Sequence, residues 1–246
     1  MKRSYFLSFI LFFFQGAFAL EPHTANYQLS INGLKIAEEV RTLHQIDNQY
    51  FYTANAKTTG VAALVKDYSI SASSTFKKNQ HGVDSINYQI IEQEDQEFSK
   101  NYAIDVYSEN SIVRSILTKA QPKVIDWQAK KGNIVDPLSL FLALSFDIKN
   151  NPDALAFNYQ VADGKSIQDH TYQHSKNQTL TINNKALLVS KVEKINNNNK
   201  ITAFFSYQHD YLPILILQNK SGKDYEYRLI NLKNGKTKAQ TLQISF

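Results

Sequence analysis

Cysteine is absent from the 246-residue chain. That excludes disulfide bonds, a lipid-modified cysteine behind a leader, a thiolate nucleophile and any thiolate metal site. Glycine is scarce, with eight residues that are mostly single, so no glycine-rich loop stands before a helix to cradle phosphate. No serine occupies a G-x-S-x-G elbow. The formal net charge is only +5, too small an excess in a chain of this size to point to a nucleic-acid partner. Beyond the first 19 residues no apolar run reaches the roughly 20 residues that a membrane-spanning helix takes.

What is present begins with a leader. Lys2 and Arg3 form a basic start, residues 5–14 (YFLSFILFFF) an apolar core, and Ala17-Phe18-Ala19 a small-residue end. That order is a secretory signal peptide with cleavage expected after Ala19. Loss of the leader leaves 227 residues with a formal charge of +3. Such a chain is expected to be exported, free of a membrane anchor and held together by its core alone. Its 14 Tyr and 15 Phe suit that task, since each buries a large area.

Period-two alternation dominates the mature chain, the mark of half-buried strands. Residues 25–31 alternate Tyr27, Leu29 and Ile31 with polar neighbours, and Asn32-Gly33 follows as a strong hairpin signal. Further strands are expected at 34–46, 50–58, 68–76, 83–92, 98–107, 112–118 and 123–127, then at 154–161, 165–174, 179–182, 186–195, 200–207, 212–219, 224–232 and 237–246. Asp163-Gly164, Asn183-Asn184, Ser221-Gly222 and Asn234-Gly235 supply turns between them. Residues 60–66 (GVAALVK) break the rhythm, as a helical turn or a buried loop.

One longer segment departs from it. Asp136-Pro137-Leu138-Ser139-Leu140-Phe141-Leu142-Ala143-Leu144-Ser145-Phe146 places Asp at an N-cap and Pro at the first helical position. Asn150, Asn151 and Pro152 end it, so a mostly buried helix is expected at about 137–149. No linker or repeat divides the chain. The fold class read from this pattern is mainly β: a single domain over 20–246, built as a strongly curved antiparallel sheet or incompletely closed barrel with one central helix.

In order and spacing, these features resemble a family of exported bacterial proteins, domain of unknown function 3108 (DUF3108). Tyr27 with Gly33 is similar to its opening hairpin, and Ser74-Thr75-Phe76 followed by Tyr88 to a strand pair. Asp136-Pro137-Leu138-Ser139 resembles its central segment. Residues 157–164 (FNYQVADG) resemble a "V-x-D-G" turn, and Tyr211-Leu212-Pro213 a late "Y-L-P". Thr181-Ile182-Asn183-Asn184 departs from the family by lacking a glycine, which Asn can replace in a left-handed turn. The resemblance implies an exported, mostly β protein of the bacterial periplasm and carries no catalytic residues. By looser architectural similarity such chains look like periplasmic lipoprotein carriers, in which a helix covers a concave sheet.

Candidate constellations each have a bland counterpart. His170 and His174, with Asp169 alongside, would suit a metal on a helix. On a strand they lie about 13 Å apart and read as exposed polar positions. Glu92, Glu94, Asp95 and Glu97 read as a solvated acidic loop, and Lys77-Lys78 and Lys130-Lys131 as charged loops. Trp127 anchors the sheet edge or lines a cleft. The helix is the leading functional element, because Leu138, Leu140, Phe141, Leu142, Leu144 and Phe146 offer more apolar surface than one face normally buries. Residues 60–65 are a candidate second part of a lid. Of the helix residues, Leu138, Phe141, Leu142 and Phe146 are the ones assigned to it. With Trp127 they form a candidate lid for an apolar ligand such as a lipid or lipidated protein. The alternative is a fully packed core in a structural or interaction protein whose partner is another envelope protein. No catalytic residue, metal or cofactor is indicated, so the chain reads as non-enzymatic.

Overall fold

The computed structural model describes residues 20–95, 97–118, 122–182, 184–194, 199–234 and 242–243. The alternating stretches form one sheet in two meanders. The first holds β1 (His23–Ile31), β2 (Leu34–Ile46), β3 (Gln49–Thr58), β4 (Tyr68–Asn79), β5 (Gly82–Glu94), β6 (Glu97–Tyr107), β7 (Ile112–Leu117) and β8 (Lys123–Gln128). A short helix, α1 (Val61–Val65), interrupts it between β3 and β4. The chain then makes β9 (Ile134–Val135) and the helix α2 (Leu140–Asn150). The second meander follows: β10 (Ala156–Ala162), β11 (Ile167–Ile182), β12 (Lys185–Lys194), β13 (Lys200–Ser206), β14 (Leu212–Lys220) and β15 (Lys223–Asn234). The short β16 (Leu242–Gln243) pairs with β15.

The spatial order runs from β8 down to β1, then from β15 down to β9, so the two meanders are joined by β1 against β15. Its free edges are β8 and β9, and the barrel is incompletely closed. Bulges bend it inward: register shifts fall at Leu29/Ser30, Thr75/Phe76, Glu92/Gln93 and Phe204/Phe205. The hairpin turns take the backbone that their residues favour. Asn32 and Gly33 have φ of 49° and 80°, as a type I′ turn requires, and Ser221 and Gly222 follow suit at 52° and 75°.

One face of every long strand supplies the core. Tyr27, Leu43, Tyr52, Phe76, Tyr88, Ile104, Val113, Tyr172, Val192, Phe205 and Leu229 are all buried. An aliphatic or Phe side chain contributes about 1.5–3 kcal/mol by such burial. Tyr27 keeps a polar contact, its Oη donating to the Pro213 carbonyl at 2.9 Å, whereas the buried Tyr172 hydroxyl has no partner among the described residues.

The helix α2 packs against β5, β10 and β14, inside the curve of the sheet. Its entry is fixed by Asp136, which is buried. Asp136 Oδ1 accepts the Leu138 and Ser139 amides, both at 2.8 Å, so the aspartate expected to cap the helix instead caps the turn that leads into it. The helix's own N-cap is Ser139, whose side chain makes no capping bond. Asp136 Oδ2 accepts three hydroxyls: Ser74 Oγ on β4 and Ser85 Oγ on β5, both at 2.6 Å, and Ser139 Oγ at 2.8 Å. The segment before it is stitched to β5 as well, with Asn133 Nδ2 donating to the Val83 carbonyl and the Ile134 amide to Asp84 Oδ1.

Several expectations are corrected. Residues 137–139 form a turn, so the helix runs Leu140–Asn150 and not 137–149. The strands expected at 165–174 and 179–182 are one strand, β11, because a bulge between Ser175 and Gln178 with Asn177 at φ 55° passes for a turn in sequence. The sheet is not wholly antiparallel, since β9 pairs parallel to β10. Lys77 and Lys78 lie within β4 and not in a loop. Residues 60–66 are a helical turn, but it is exposed. Of the strand expected at 237–246, only Leu242–Gln243 lies within the described residues.

Replacing Asp136 with Ala leaves five donors without their acceptor in a buried site. It is expected to lower stability by about 3 kcal/mol or more in chemical denaturation, against roughly 1 kcal/mol for Ser74→Ala. A second substitution probes the packing at the Asp163-Gly164 turn. A Cβ at Gly164 would fall 2.2 Å from Tyr102 Cε2, and its φ is +84°. Gly164→Ala is therefore expected to cost about 2 kcal/mol, read by the same denaturation midpoint.

Candidate functional site

Of the five residues expected to form an apolar lid, only Leu142 lines one of the three described cavities. Leu138 and Leu142 are 7% and 1% exposed. Phe141, Phe146 and Trp127 are half-buried and pack on the core, and the Lys78 ammonium lies 5.0 Å from the Phe146 ring centroid. Trp127 sits on the edge strand β8, opposite Val113. The apolar faces of α2 are covered from both sides, with Leu140, Ala143, Leu144 and Ile148 also buried. A cavity beside Leu142, Leu43 and Leu212 has a volume of about 160 Å³. That is small beside the roughly 300–1,000 Å³ of ordinary ligand pockets.

A larger cleft of about 430 Å³ lies between the β4–β5 turn, the loop before β9, and the strands β10 and β11, lined by Asp147 of α2, Tyr159, His170, His81, Lys130 and Lys131. Tyr159 Oη donates to Asp147 Oδ2 at 2.6 Å. Burial raises the Asp147 carboxyl above its ordinary value, and the Tyr159 hydrogen bond opposes that rise. His170 is held down to about 4, first by desolvation and then by the Lys194 ammonium, whose Nζ lies 3.0 Å from His170 Nε2. Acidic and basic groups are interleaved in this cleft, and among the described residues no group of three or more His, Asp or Glu could hold a metal ion.

The histidine pair is placed by the strand, as its spacing on β11 predicts, but its environment differs from expectation. His174 is buried: Nδ1 donates to the Ala154 carbonyl at 2.7 Å and Nε2 lies 3.1 Å from Ser190 Oγ. Both nitrogens are therefore engaged in holding β11 to its neighbours. His170 is half-buried. The acidic residues expected in a solvated loop are mostly in strands: Glu92 and Glu94 end β5, Glu97 opens β6 and Asp95 lies at the turn. Glu92 is half-buried and accepts the Tyr68 hydroxyl at 2.9 Å, while Glu94 pairs with Lys66. Another inward pair that alternation alone did not reveal is Glu39 with Arg41 on β2. Both are buried, with Arg41 Nη2 2.8 Å from Glu39 Oε2 and its guanidinium 4.8 Å from the Tyr27 ring centroid.

The outer surface carries a third feature. At the rim formed by the β1–β2 turn and α1, Leu34, Val61, Leu64 and Val65 are 70%, 76%, 86% and 83% exposed. Leu34, Val61, Ala62 and Val65 line a shallow apolar groove of about 480 Å³ there. Apolar composition made 60–66 a candidate for burial; its position beyond the sheet rim leaves it in solvent.

An open, strongly curved β sheet around one helix defines the class as a β-barrel-like fold. No family model matches the chain, and no curated protein matches it. Among solved structures it is similar to a β-barrel-like protein of domain of unknown function DUF1849 from Brucella abortus. The identity is 12%, the match covers 89% of this chain and 99% of that one, and the TM-score is 0.59. The likeness is one of fold.

The cleft generates a pH dependence with two opposing parts. His170 titrates near 4 when folded and 6.5 when unfolded. As pH falls through that window the unfolded chain takes up the proton first, so stability is lost. Asp147 has the reverse sign: its raised folded value costs stability as pH rises through the carboxylate range. Denaturation midpoints across this range are expected to vary less with pH in His170→Asn. Asp147→Asn, whose amide oxygen still accepts from Tyr159, is expected to be more stable than the parent at neutral pH.

Proposed function

We propose that this chain is an exported, non-enzymatic protein of the bacterial envelope that works as a docking module through its outer surface, with the helix-filled barrel as scaffold. The observation that carries this reading is the contrast in burial. The helix that would close a lipid groove has its apolar side chains packed into the core, whereas a cluster of aliphatic side chains at the rim faces solvent. It thus favours the interaction protein over the carrier. The leader ending at Ala19 supports export to the periplasm, and the motif order around Asp136 supports kinship with DUF3108. The absence of any convergent nucleophile and base among the described cleft residues supports a binding role.

Native mass spectrometry of the chain purified from its own compartment tests both parts. The expected mass is that of residues 20–246, with no co-purified lipid. Added monomeric lipid is expected to leave the melting temperature unchanged. One tightly held lipid per chain, with a clear upward thermal shift, would overturn the docking reading and restore the carrier.

A further inference from the structure

The rim cluster is built to stay exposed. The excursion 59–67 is clamped at its base: Thr58 Oγ1 donates to the Lys66 carbonyl at 3.0 Å and accepts the Tyr68 amide at 3.1 Å. The Thr59 amide donates to the Ile36 carbonyl, and the Asp95 amide to the Asp67 carbonyl. Gly60 turns the chain into α1 at φ 61° and ψ −138°, a backbone that essentially only glycine adopts. A rigid support thus holds Val61, Leu64 and Val65 outward beside Leu34, where they contribute nothing to the core.

We propose that this tip inserts into the surface of a lipid bilayer. The inference rests on the docking reading above and names its partner. Burying four aliphatic side chains covers roughly 60–120 Å² each, well short of the roughly 800 Å² per partner of a stable protein interface. A second copy of the chain is therefore a poor match for the area. The collar around the tip fits a membrane better. Lys35 pairs with Glu38 at 2.6 Å, Lys66 with Glu94 at 2.7 Å and Lys57 with Asp67 at 3.7 Å, all substantially exposed. Each cation is balanced by an anion, and the exposed Asp95 carboxylate, which accepts the Asp67 amide at 3.2 Å, adds one more. The collar therefore carries no excess positive charge and suits zwitterionic headgroups carrying one phosphate and one ammonium. The apolar tip reaches past them into the acyl boundary. A collar with no excess positive charge also means that binding follows apolar contact and not long-range attraction, so salt weakens it little.

Flotation of the mature chain with vesicles of phosphatidylcholine and phosphatidylethanolamine, at low and high salt, tests this. The parent is expected to float with the vesicles at both salt concentrations. Leu64→Ser combined with Val65→Ser is expected to bind about tenfold more weakly or worse, with an unchanged melting curve because both side chains are exposed. Leu155→Ser, at an exposed leucine elsewhere, is expected to bind as the parent does. Failure of the parent to float, equal binding by the double variant, or a dimer in sedimentation that the double variant abolishes would each overturn the assignment. Failure here with no lipid in the barrel removes only the bilayer partner. A lipid found in the barrel removes the docking reading beneath it.

Discussion

The buried carboxylate of Asp136 is the contact on which the arrangement of the rest depends. The chain leaves the first meander at β8, on one free edge, and must place a helix inside the sheet before it can begin the second. A carboxylate taken out of water is tolerated only where its lone pairs are met. Here two amides of the entering turn and three hydroxyls from β4, β5 and the turn itself meet them. The same group therefore ties the turn that leads into the helix to β4 and β5, and so fixes the helix's depth and direction against the sheet. Apolar packing of α2 could be satisfied at several rotations of a helix that is apolar nearly all round; this polar knot selects one.

That knot shows how far local sequence reaches. Its capping half was legible, because Asp before Pro and an apolar run is a local signal. Its sheet half was not. Ser74 and Ser85 come from two strands of the first meander, opposite Tyr88 and Phe76, and a bulge between Thr75 and Phe76 sets the register from which both hydroxyls reach Asp136 Oδ2. Strand positions were legible for the same local reason, through Tyr27, Tyr50, Tyr52 and their polar alternates. The bulge at Asn177 was not, because a left-handed Asn in mid-strand carries the same chemistry as a turn. Nor was β9, whose two residues are too few to show a period.

The candidate site follows the same division. Composition identified the apolar segments 60–66 and 138–146, but composition alone does not say which side of a sheet receives them. Topology sent α2 inside, as its nearly continuous apolar run implies, and α1 beyond the rim, where the helical turn stays exposed. His174 had a signal that could have been used: it shares a strand face with Tyr172, and that face is the buried one. Its burial follows from alternation once residues 167–182 are taken as one strand.

The pairing of β1 with β15 has a consequence for the order in which the molecule comes together. Residues 23–31 find their second partner only in residues 223–234, nearly the whole chain later. Contacts of such sequence separation close slowly, because the entropy of bringing the ends together precedes any gain from pairing. The first strand therefore stays one-sided until the last long one has arrived. The two meanders stay unjoined until the C-terminal half is present, and for most of that time the first meander carries an open edge at β1.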